Sequence, residues 1–448
     1  MKRQANFTSN MPNFASMQGD IRGFIGPIPQ KGKRIHILGV GISGLLLGWH
    51  LKKAGFEVSL FSDSSKTGGL IHSEQRAFGM VESAANAVVW SKHLEQLCAE
   101  IGLSPLAANK KASKRFILRK GRFRTFPLNT LETLRLLISL FQKFPLSKDE
   151  DFETLAKRVG GDALLNYLVQ PGLYGIYASE AKFLGVNTLF PGFAQSLNEN
   201  KSLWEALKSV FPSRAPGGIR KGLHSFEQGM MSLTDALAQE LSQNIHPINE
   251  LPAPDEHSHL ISCAPAYATL PALIPEYLKS FLEKVEYAPL ISSSFFFRSD
   301  ELTHLPQGFG CVIPPSEGLS ILGILFNDQI FDHRVVSSEY RSFTCISGGY
   351  GRPSLTLDYP EQGWKEIILQ DFLKATHCKA LPVDCVHQVW PKALPVYQPA
   401  MPALWDSLHQ ACLSLDFPFS LFSNFTGEIS IRGLCGTAAI VSERACRG

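Results

Sequence analysis

The chain has 448 residues, 44% of them hydrophobic and 19% charged, with a formal charge of +3 from 43 basic and 40 acidic side chains. This composition is ordinary for a globular protein, and the length favours two or three domains. A charge balance this close to neutral carries no signature of a nucleic-acid partner. Nine cysteines without a Cys-x-x-Cys pair argue against a disulfide framework or a zinc site, and they indicate a reducing, cytoplasmic location.

Residues 1–33 mix Asn, Ser, Gln, Pro and Met with scattered Lys and Arg. They lack the apolar core of a secretory signal, so we expect a flexible extension. No run of about 18 apolar residues occurs in the chain, which argues against a transmembrane helix.

A strand, a glycine-rich turn and a helix follow this extension. Arg34–Leu38 predicts a short strand, the next helix ends at Gly55, and 57–61 predicts a second strand. In this context a Gly-x-Gly-x-x-Gly turn is typical of a dinucleotide site, because it admits a pyrophosphate to the N-terminus of the helix. The residues of this turn are Gly39, Val40, Gly41, Ile42, Ser43 and Gly44.

The acidic residue that would bind the ribose is not at its usual place, about 20 residues further on. Ser62 stands at the end of the second predicted strand, with Asp63 beside it. Either Asp63 takes the role after a shift of one residue, or the Ser62 hydroxyl makes a weaker hydrogen bond. The sequence leaves both alternatives open.

A second glycine pair, Gly68-Gly69 followed by Leu70, comes soon after the second strand. This spacing resembles the signature of amine-oxidase-like flavoproteins, in which the backbone runs along the cofactor. NAD-dependent dehydrogenases do not need such a pair, so the resemblance implies FAD. Where that family usually has Gly-Pro, this chain has a loop of small residues, which are Ala84, Ala85, Asn86 and Ala87.

Several later segments narrow the resemblance to one family. Their order and spacing are similar to those of protoporphyrinogen oxidases, a family that includes coproporphyrinogen III oxidases, and the likeness covers residues 34 to 441. The segments are 114–118, 171–178, 225–230, 308–314 and 390–397.

The resemblance implies a substrate site with one arginine and an apolar slot. Arg115 would pair with a propionate, because its planar fork suits a carboxylate. Gly175 would let the porphyrinogen approach the flavin without a side chain between them. The slot would be lined by Phe309, Val312 and Ile346.

The resemblance also implies further cofactor contacts and a mechanism. Ile248 would lie beside the adenine, and Ile429, Ser430 and Ile431 would form a turn under the flavin ring, with Arg432-Gly433 in place of the family's acidic residue. FAD would accept hydride from the porphyrinogen, and molecular oxygen would reoxidise it. No catalytic side chain and no metal ion are expected.

We expect a combined α/β and α+β fold with three parts. A Rossmann-like FAD-binding domain would combine residues 34–104, 222–275 and 395–448. An inserted helical domain would occupy 105–221, and a mixed-sheet substrate domain would occupy 276–394. The apolar stretch 131–146 is too short to span a bilayer, and we expect a buried core helix rather than an interfacial one. The resemblance also admits a peripheral membrane contact and a homodimer.

Three alternatives stay open at the level of function. The basic run 110–124 would suit the four carboxylates of coproporphyrinogen rather than protoporphyrinogen. The chain would otherwise be another amine-oxidase-like flavoprotein, or a degenerate relative that binds porphyrin or haem without oxidising it. The departures at Ser62, Ala84-Ala85 and Arg432-Gly433 motivate the last alternative.

Overall fold

The computed structural model describes residues 21–63, 66–210, 222–269 and 273–447. The strands of these ranges form four sheets. In chain order they are β1 Arg34–Leu38, β2 Val58–Ser62, β3 Ser73–Gln75, β4 Met80–Glu82, β5 Val88–Val89, β6 Leu106–Ala107, β7 Arg115–Arg119, β8 Arg122–Arg124, β9 Leu223–Ser225, β10 Ile245–Pro247, β11 Ser258–Ser262, β12 Tyr287–Arg298, β13 Gly310–Val312, β14 Ile321–Phe326, β15 Tyr340–Gly348, β16 Asp384–Pro395 and β17 Phe419–Leu421.

The helices of the same ranges surround these sheets. They are α1 Ile42–Lys53, α2 Lys92–Glu100, α3 Thr130–Ser139, α4 Phe152–Leu164, α5 Gln170–Tyr177, α6 Val186–Leu189, α7 Pro191–Asn198, α8 Leu203–Val210, α9 Met231–Glu240, α10 Glu276–Leu282, α11 Asn327–Ile330, α12 Leu355–Asp358, α13 Glu361–Thr376, α14 Met401–Leu413 and α15 Ile431–Arg447.

A five-stranded parallel sheet has the order β10-β2-β1-β11-β17. Ile35 and Ile37 on one face of the central strand β1 and His36 and Leu38 on the other are all buried, as expected where both faces of a parallel sheet are covered. Because every strand runs in the same direction, the carboxyl ends of all five meet at one edge. The predicted strand–turn–helix–strand unit is confirmed, with the second strand one residue later than expected.

A seven-stranded mixed sheet has the order β16-β12-β15-β14-β13-β7-β8, and only β13 and β7 pair in parallel. One face packs on α13, where Phe297 and Phe372 stack with their ring centroids 5.1 Å apart. β7 and β8 belong to this sheet although they lie within the range predicted to be helical. Within the predicted helical range, helices form the described part from Thr130 to Val210. The division into three domains stays a prediction.

Backbone irregularity shapes the approach to α5. Gly161 inside α4 has φ 70° and ψ −165°, a conformation that favours glycine, and it kinks the helix. Leu165–Val169 then forms a π-helical turn that leads into α5. Such turns often mark functional sites, and this one precedes the segment predicted to face the substrate.

The prediction of a flexible extension is wrong for residues 21–28, while residues 1–20 lie outside the described ranges. Residues 21–28, which we call the N-terminal strap, lie along the outer edge of the five-stranded sheet. Ile25 and Leu421 exchange two backbone hydrogen bonds of 3.0 and 2.8 Å in an antiparallel bridge. Ile21, Phe24 and Ile25 are buried, and this burial of apolar surface holds the strap in place.

The prediction of a buried core helix over 131–146 is also wrong. The helix found there, α3, is shorter than the predicted stretch, and Ser139 is its one buried residue. Its first turn is fixed by a capping box between Asn129 and Glu132. Leu136 packs on the core, but most of the apolar residues of the helix face outward. The exposed fractions are 78% at Leu131, 54% at Leu134, 51% at Leu137, 55% at Ile138 and 78% at the nearby Phe141. Within the described ranges, no helix is both long enough and apolar enough to cross a bilayer.

Candidate cofactor and substrate site

Two long helices begin at the carboxyl edge of the parallel sheet. The Ser442 hydroxyl donates to the carbonyl of His50, and the Cys446 thiol donates to that of Ala54, so α15 runs parallel to α1. Their N-termini, at Ile42 and Ile431, therefore lie at the same end of the pair. Each N-terminus offers N–H groups and a partial positive charge to an anion.

Glycines close the turn between β1 and α1. A Cβ on Gly44 would lie 2.0 Å from the carbonyl oxygen of Gly39, so only glycine fits there. Gly41 and Gly68 form a parallel bridge, and a Cβ on Gly69 would lie 3.3 Å from Cα of Gly41. The two predicted glycine segments thus meet backbone to backbone. They form a cradle of the kind that a dinucleotide phosphate group requires.

The predicted ribose and adenine residues lie at one end of this edge. Ser62 ends β2 and pairs in parallel with Pro247, so the predicted adenine contact Ile248 follows directly beside it. Asp63 is exposed one residue further along. The geometry suits either of the two sequence alternatives for the ribose contact.

The small-residue loop 84–87 is fastened to the cradle and to the second sheet. The Ser83 hydroxyl donates to the carbonyl of Leu70 at 2.8 Å. The indole N–H of Trp390, in β16, donates to the carbonyl of Ser83 at 2.9 Å. These bonds place the predicted loop between the glycine cradle and the mixed sheet.

A buried ion pair that the sequence analysis missed supports the same loop. Nη1 of Arg334 lies 2.6 Å from Oε1 of Glu82, and the two side chains are only 3% and 2% exposed. Nη2 of Arg334 donates to the carbonyl of Asn86 at 3.1 Å, while Glu82 accepts from the N–H of Met230. Burial raises the pKa of Glu82 and the Arg334 guanidinium opposes this. Arg334 lies in a short 3-10 turn without a motif, so the sequence offers no signal for it.

One face of the mixed sheet carries predicted substrate residues in a single row. Val312 pairs with Gly323, Gly323 pairs with Ile346, and Ile346 pairs with Ser292. Residues opposite one another on neighbouring strands share a face, and the first three of these are half-buried. The opposite face is fully buried, as Cys311 shows. The row is an apolar surface with a gap at Gly323.

Arg115 lies at the edge of this row. Its guanidinium carbon is 4.3 Å from the ring centroid of Phe309, a cation–π contact that holds the two predicted residues together. Partial burial lowers the pKa of Arg115, and among the described residues no carboxylate forms an ion pair with it. Arg119 on the same strand is by contrast paired with Glu132 at 2.8 Å. The Arg115 cation is available to an external carboxylate.

The helix α5 lies over this sheet face. Tyr174 and Ala178 pack in one apolar cluster with Ile346. Gly175 is exposed, and a Cβ there would meet no heavy atom within 4 Å, so the backbone faces open space. Phe309 and Ala87 also share a cluster. The predicted substrate residues therefore adjoin the predicted cofactor loop.

The C-terminal cofactor segment leads into α15. Ser430 is exposed, while Ile429 and Ile431 are half-buried. Glu428 folds back so far that its Oε2 lies 2.0 Å from where a Cβ of Gly433 would be. The carboxylate of Glu428 therefore lies next to Gly433. The chain itself has no acidic residue at 432–433, where the resemblance led us to expect one. In the described ranges no cluster of three or more His, Cys, Asp or Glu side chains is arranged for a metal ion.

Comparison with known proteins agrees with this geometry. A family model described as an NAD(P)-binding Rossmann-like domain matches residues 37–101. Protoporphyrinogen oxidase 2 of Arabidopsis thaliana is 23% identical over 90% of this chain and 91% of its own. Coproporphyrinogen III oxidase of Staphylococcus aureus is 25% identical over 47% of this chain and 51% of its own.

Among solved structures, that of a proposed protoporphyrinogen oxidase from Exiguobacterium sp. 255-15 superposes with a TM-score of 0.75 and 19% identity. It covers 93% of this chain and 99% of the other. The predicted fold class and the predicted resemblance to porphyrinogen oxidases are confirmed. The roles of the individual site residues stay predictions.

Proposed function

From this similarity over nearly the whole chain we infer that the protein is an FAD-dependent oxidase that converts a porphyrinogen, protoporphyrinogen IX or coproporphyrinogen III, to the porphyrin with molecular oxygen as acceptor. Its place would be in haem and porphyrin biosynthesis in the cytoplasm. The observation that carries the inference is the apolar sheet face with the Arg115 cation at its edge, beside a glycine cradle for a dinucleotide.

The chain's own residues fit FAD at this cradle. The turn 39–44 and the N-terminus of α1 would hold the pyrophosphate, and Gly68-Gly69 would leave room for the cofactor to pass over the backbone. The loop 84–87 and the segment 429–431 would lie along the flavin. FAD bound there would supply a hydride acceptor that oxygen reoxidises: each of three rounds would remove one hydride to the flavin and one proton to solvent, with one O2 reduced to H2O2.

The protein's contribution is to orient the macrocycle. A porphyrinogen is broad and mostly apolar with carboxylates on one edge, and the row Val312–Gly323–Ile346 offers a matching flat surface. Arg115 would fix the edge by binding a propionate. Because Gly175 carries no side chain, the reacting carbon approaches the flavin without obstruction. No side chain needs to remove a proton in this scheme.

The first experiment is a visible spectrum of the purified protein, followed by parallel assays with both porphyrinogens under air. We expect flavin absorbance, and fluorescent porphyrin that forms faster than by autoxidation. The faster substrate identifies the physiological one. A protein that stays colourless with added FAD and turns over neither substrate would contradict the proposal and favour a non-catalytic binding protein. Turnover of amines alone would favour another flavoprotein oxidase.

Arg115 provides a sharper test of the substrate pose. Arg115→Ala removes a hydrogen bond to a charged group, worth about 1.5–3 kcal/mol, so KM should rise roughly 10- to 100-fold with kcat little changed. Arg298→Ala is the matched control, because Arg298 lies on the same sheet with 55% of its side chain exposed. Equal KM values in both variants would show that Arg115 does not bind the propionate.

We also propose that α3 gives the protein a peripheral membrane contact. The exposed apolar side chains of α3 form a stripe. Trp204 is 48% exposed beside this stripe, and its backbone N–H donates to the carbonyl of Leu140. Apolar residues on one side of a short helix, with an aromatic residue nearby, suit the boundary between lipid headgroups and acyl chains. The alternative is a homodimer in which a second copy of the chain covers the same stripe.

Flotation with phosphatidylcholine–phosphatidylglycerol vesicles tests the contact. The double variant Leu134→Ser, Leu137→Ser should lose most of its vesicle binding without loss of stability, because both side chains are already exposed. Leu357→Ser is the control, since Leu357 is 86% exposed elsewhere. The membrane contact is contradicted if the wild-type protein does not bind vesicles and sediments as a dimer, while the double variant sediments as a monomer. In that case a second copy of the chain covers the stripe.

A further inference from the structure

Arg22 of the N-terminal strap joins two distant parts of the chain. Its Nε donates to the carbonyl of Gly427 at 2.9 Å. Its Nη2 donates to the carbonyl of Thr188 at 2.8 Å, and its Nη1 to that of Leu189 at 3.4 Å. One guanidinium therefore connects the helical part of the protein to the segment that precedes α15.

Glu428 lies against the same arginine. Its Oε1 is 3.7 Å from Nε of Arg22, and the two side chains are 29% and 32% exposed. A Cβ on Gly23 would lie 2.9 Å from Cγ of Glu428, and a Cβ on Gly433 would lie 2.0 Å from its Oε2. The carboxylate is thus held between two glycines at the first turn of α15, where a negative charge is favourable.

The strap is bonded on both sides of this pair. The Thr426 hydroxyl donates to the carbonyl of Gly23 at 2.6 Å, and the Thr437 hydroxyl donates to that of Arg22 at 2.9 Å. Gly427 has φ +128°, a conformation that favours glycine, and its carbonyl points to Arg22. Without that bond the backbone at Gly427 has many other conformations available.

We propose that the N-terminal strap is part of the cofactor site, and that Arg22, together with Glu428, is a positioning residue that fixes the backbone of 427–431 at the N-terminus of α15. Because α15 is parallel to α1, this backbone lies at the same end as the phosphate-binding turn, and a shift at Gly427 would displace Ser430 and Ile431. The inference rests on the proposed function only for the identity of the cofactor, FAD.

The test compares how tightly FAD binds to the apoprotein of wild type and of four variants. These are Arg22→Gln, Arg22→Lys, Glu428→Gln and the double variant Arg22→Gln, Glu428→Gln. The matched control is Arg34→Gln, whose exposed partner Asp255 lies 3.0 Å away. Three quantities are measured: the Kd for FAD, the visible circular dichroism of bound FAD, and the urea midpoint of the apoprotein. We expect a Kd at least tenfold higher for Arg22→Gln and for Glu428→Gln, and an altered dichroism band. The double variant should be little weaker than either single one, Arg22→Lys should be intermediate, and Arg34→Gln should match wild type.

A lower urea midpoint with unchanged Kd and dichroism would make Arg22 merely structural and overturn the inference. So would equal Kd values for Arg22→Gln and Arg34→Gln. Should Arg22→Gln fail to fold, unchanged Kd values in Arg22→Lys and Glu428→Gln would overturn it equally. Wild-type protein that does not bind FAD would overturn this inference and the proposed function together. Protein that binds FAD tightly but leaves both porphyrinogens unoxidised would contradict the proposed function alone.

Discussion

At the scale of single residues, two arginines on one strand differ in what surrounds them. Arg119 is bonded to Glu132 and to the carbonyl of Pro127. Arg115, four residues earlier, stacks on Phe309. Residue type and spacing do not separate the two, because both stand in the same basic run. The sequence singled out Arg115 only through its likeness to a family, and the three-dimensional surroundings supply the physical reason.

Gly44 is the residue whose substitution should most directly remove the cofactor. A methyl group there would lie 2.0 Å from the carbonyl oxygen of Gly39, so the turn has to open. Gly44→Ala should therefore be purified with little or no flavin, and overpacking should lower stability by about 1–3 kcal/mol. The flavin-to-protein absorbance ratio and urea unfolding measure the two effects.

The control for this substitution is Gly192→Ala. Gly192 lies in α7, and a Cβ there would meet nothing within 4 Å. Alanine should leave the flavin content unchanged and stabilise the helix by about 0.5–1 kcal/mol. A Gly44→Ala protein with full flavin content would show that the turn does not hold the pyrophosphate.

At the scale of secondary-structure elements, the two wrong predictions share one cause. Composition identified 1–33 as a flexible tail and 131–146 as a core helix, but burial depends on which neighbours a segment meets. Ile25 is covered because it reaches β17, nearly 400 residues later in the chain. Leu131, Leu134 and Ile138 of α3 stay more than half exposed, because no neighbouring segment of the described chain covers them. Local patterns predicted β1, α1 and β2 well, because residues close in sequence set the strands, the glycine turn and the helix.

His259 links three elements of the parallel sheet. The Ser420 hydroxyl donates its one proton to the carbonyl of Pro27, so it accepts from Nε2–H of His259, 2.9 Å away. Burial lowers the pKa of His259 to about 3. The folded state therefore keeps this imidazole neutral, while in the unfolded chain it gains a proton below about pH 6.5. Its contribution to stability is present above that pH and is lost as the pH falls from 6.5 towards 3.

The substitution His259→Gln keeps a donor near the same place and removes the titration. Between pH 7.5 and pH 5.5, the free energy of unfolding should fall by about 1.4 kcal/mol less in this variant than in wild type. Urea unfolding at the two pH values measures the difference. His257→Gln is the control, because that side chain is 76% exposed. The same pH dependence in His259→Gln and wild type would contradict the assignment.

At the scale of the whole molecule, the buried pair Glu82–Arg334 joins the two-stranded sheet β3–β4 to the connection between β14 and β15 of the mixed sheet. Arg334→Met leaves a buried carboxylate without its partner and should cost about 3–5 kcal/mol. The double variant Arg334→Met, Glu82→Leu should recover most of this loss, because an apolar pair needs no compensating charge. Urea unfolding measures both, with the exposed Arg298→Met as control. Equal stability of the single and double variants would show that the carboxylate left without Arg334 does not destabilise the protein.

The fold as a whole was more predictable than the site. The glycine turn and its flanking strands identified the parallel sheet, because their physics is local. The row from Val312 to Ile346 depends on the register of three strands, which only the assembled sheet fixes. Arg22, Glu82 and Arg334 act through partners 148 to 405 residues away, and no sequence pattern encodes such pairs.

The strap also has a consequence for synthesis. Arg22 of the strap leaves the ribosome 405 residues before its partner Gly427. At a synthesis rate of about 5–20 residues per second, roughly 20–80 s pass between the synthesis of the strap and that of its partner strand β17. Its apolar residues stay uncovered for that time, accessible to chaperones. A chain interrupted before β17 never covers them, so the docked strap is a sign that synthesis has passed residue 421.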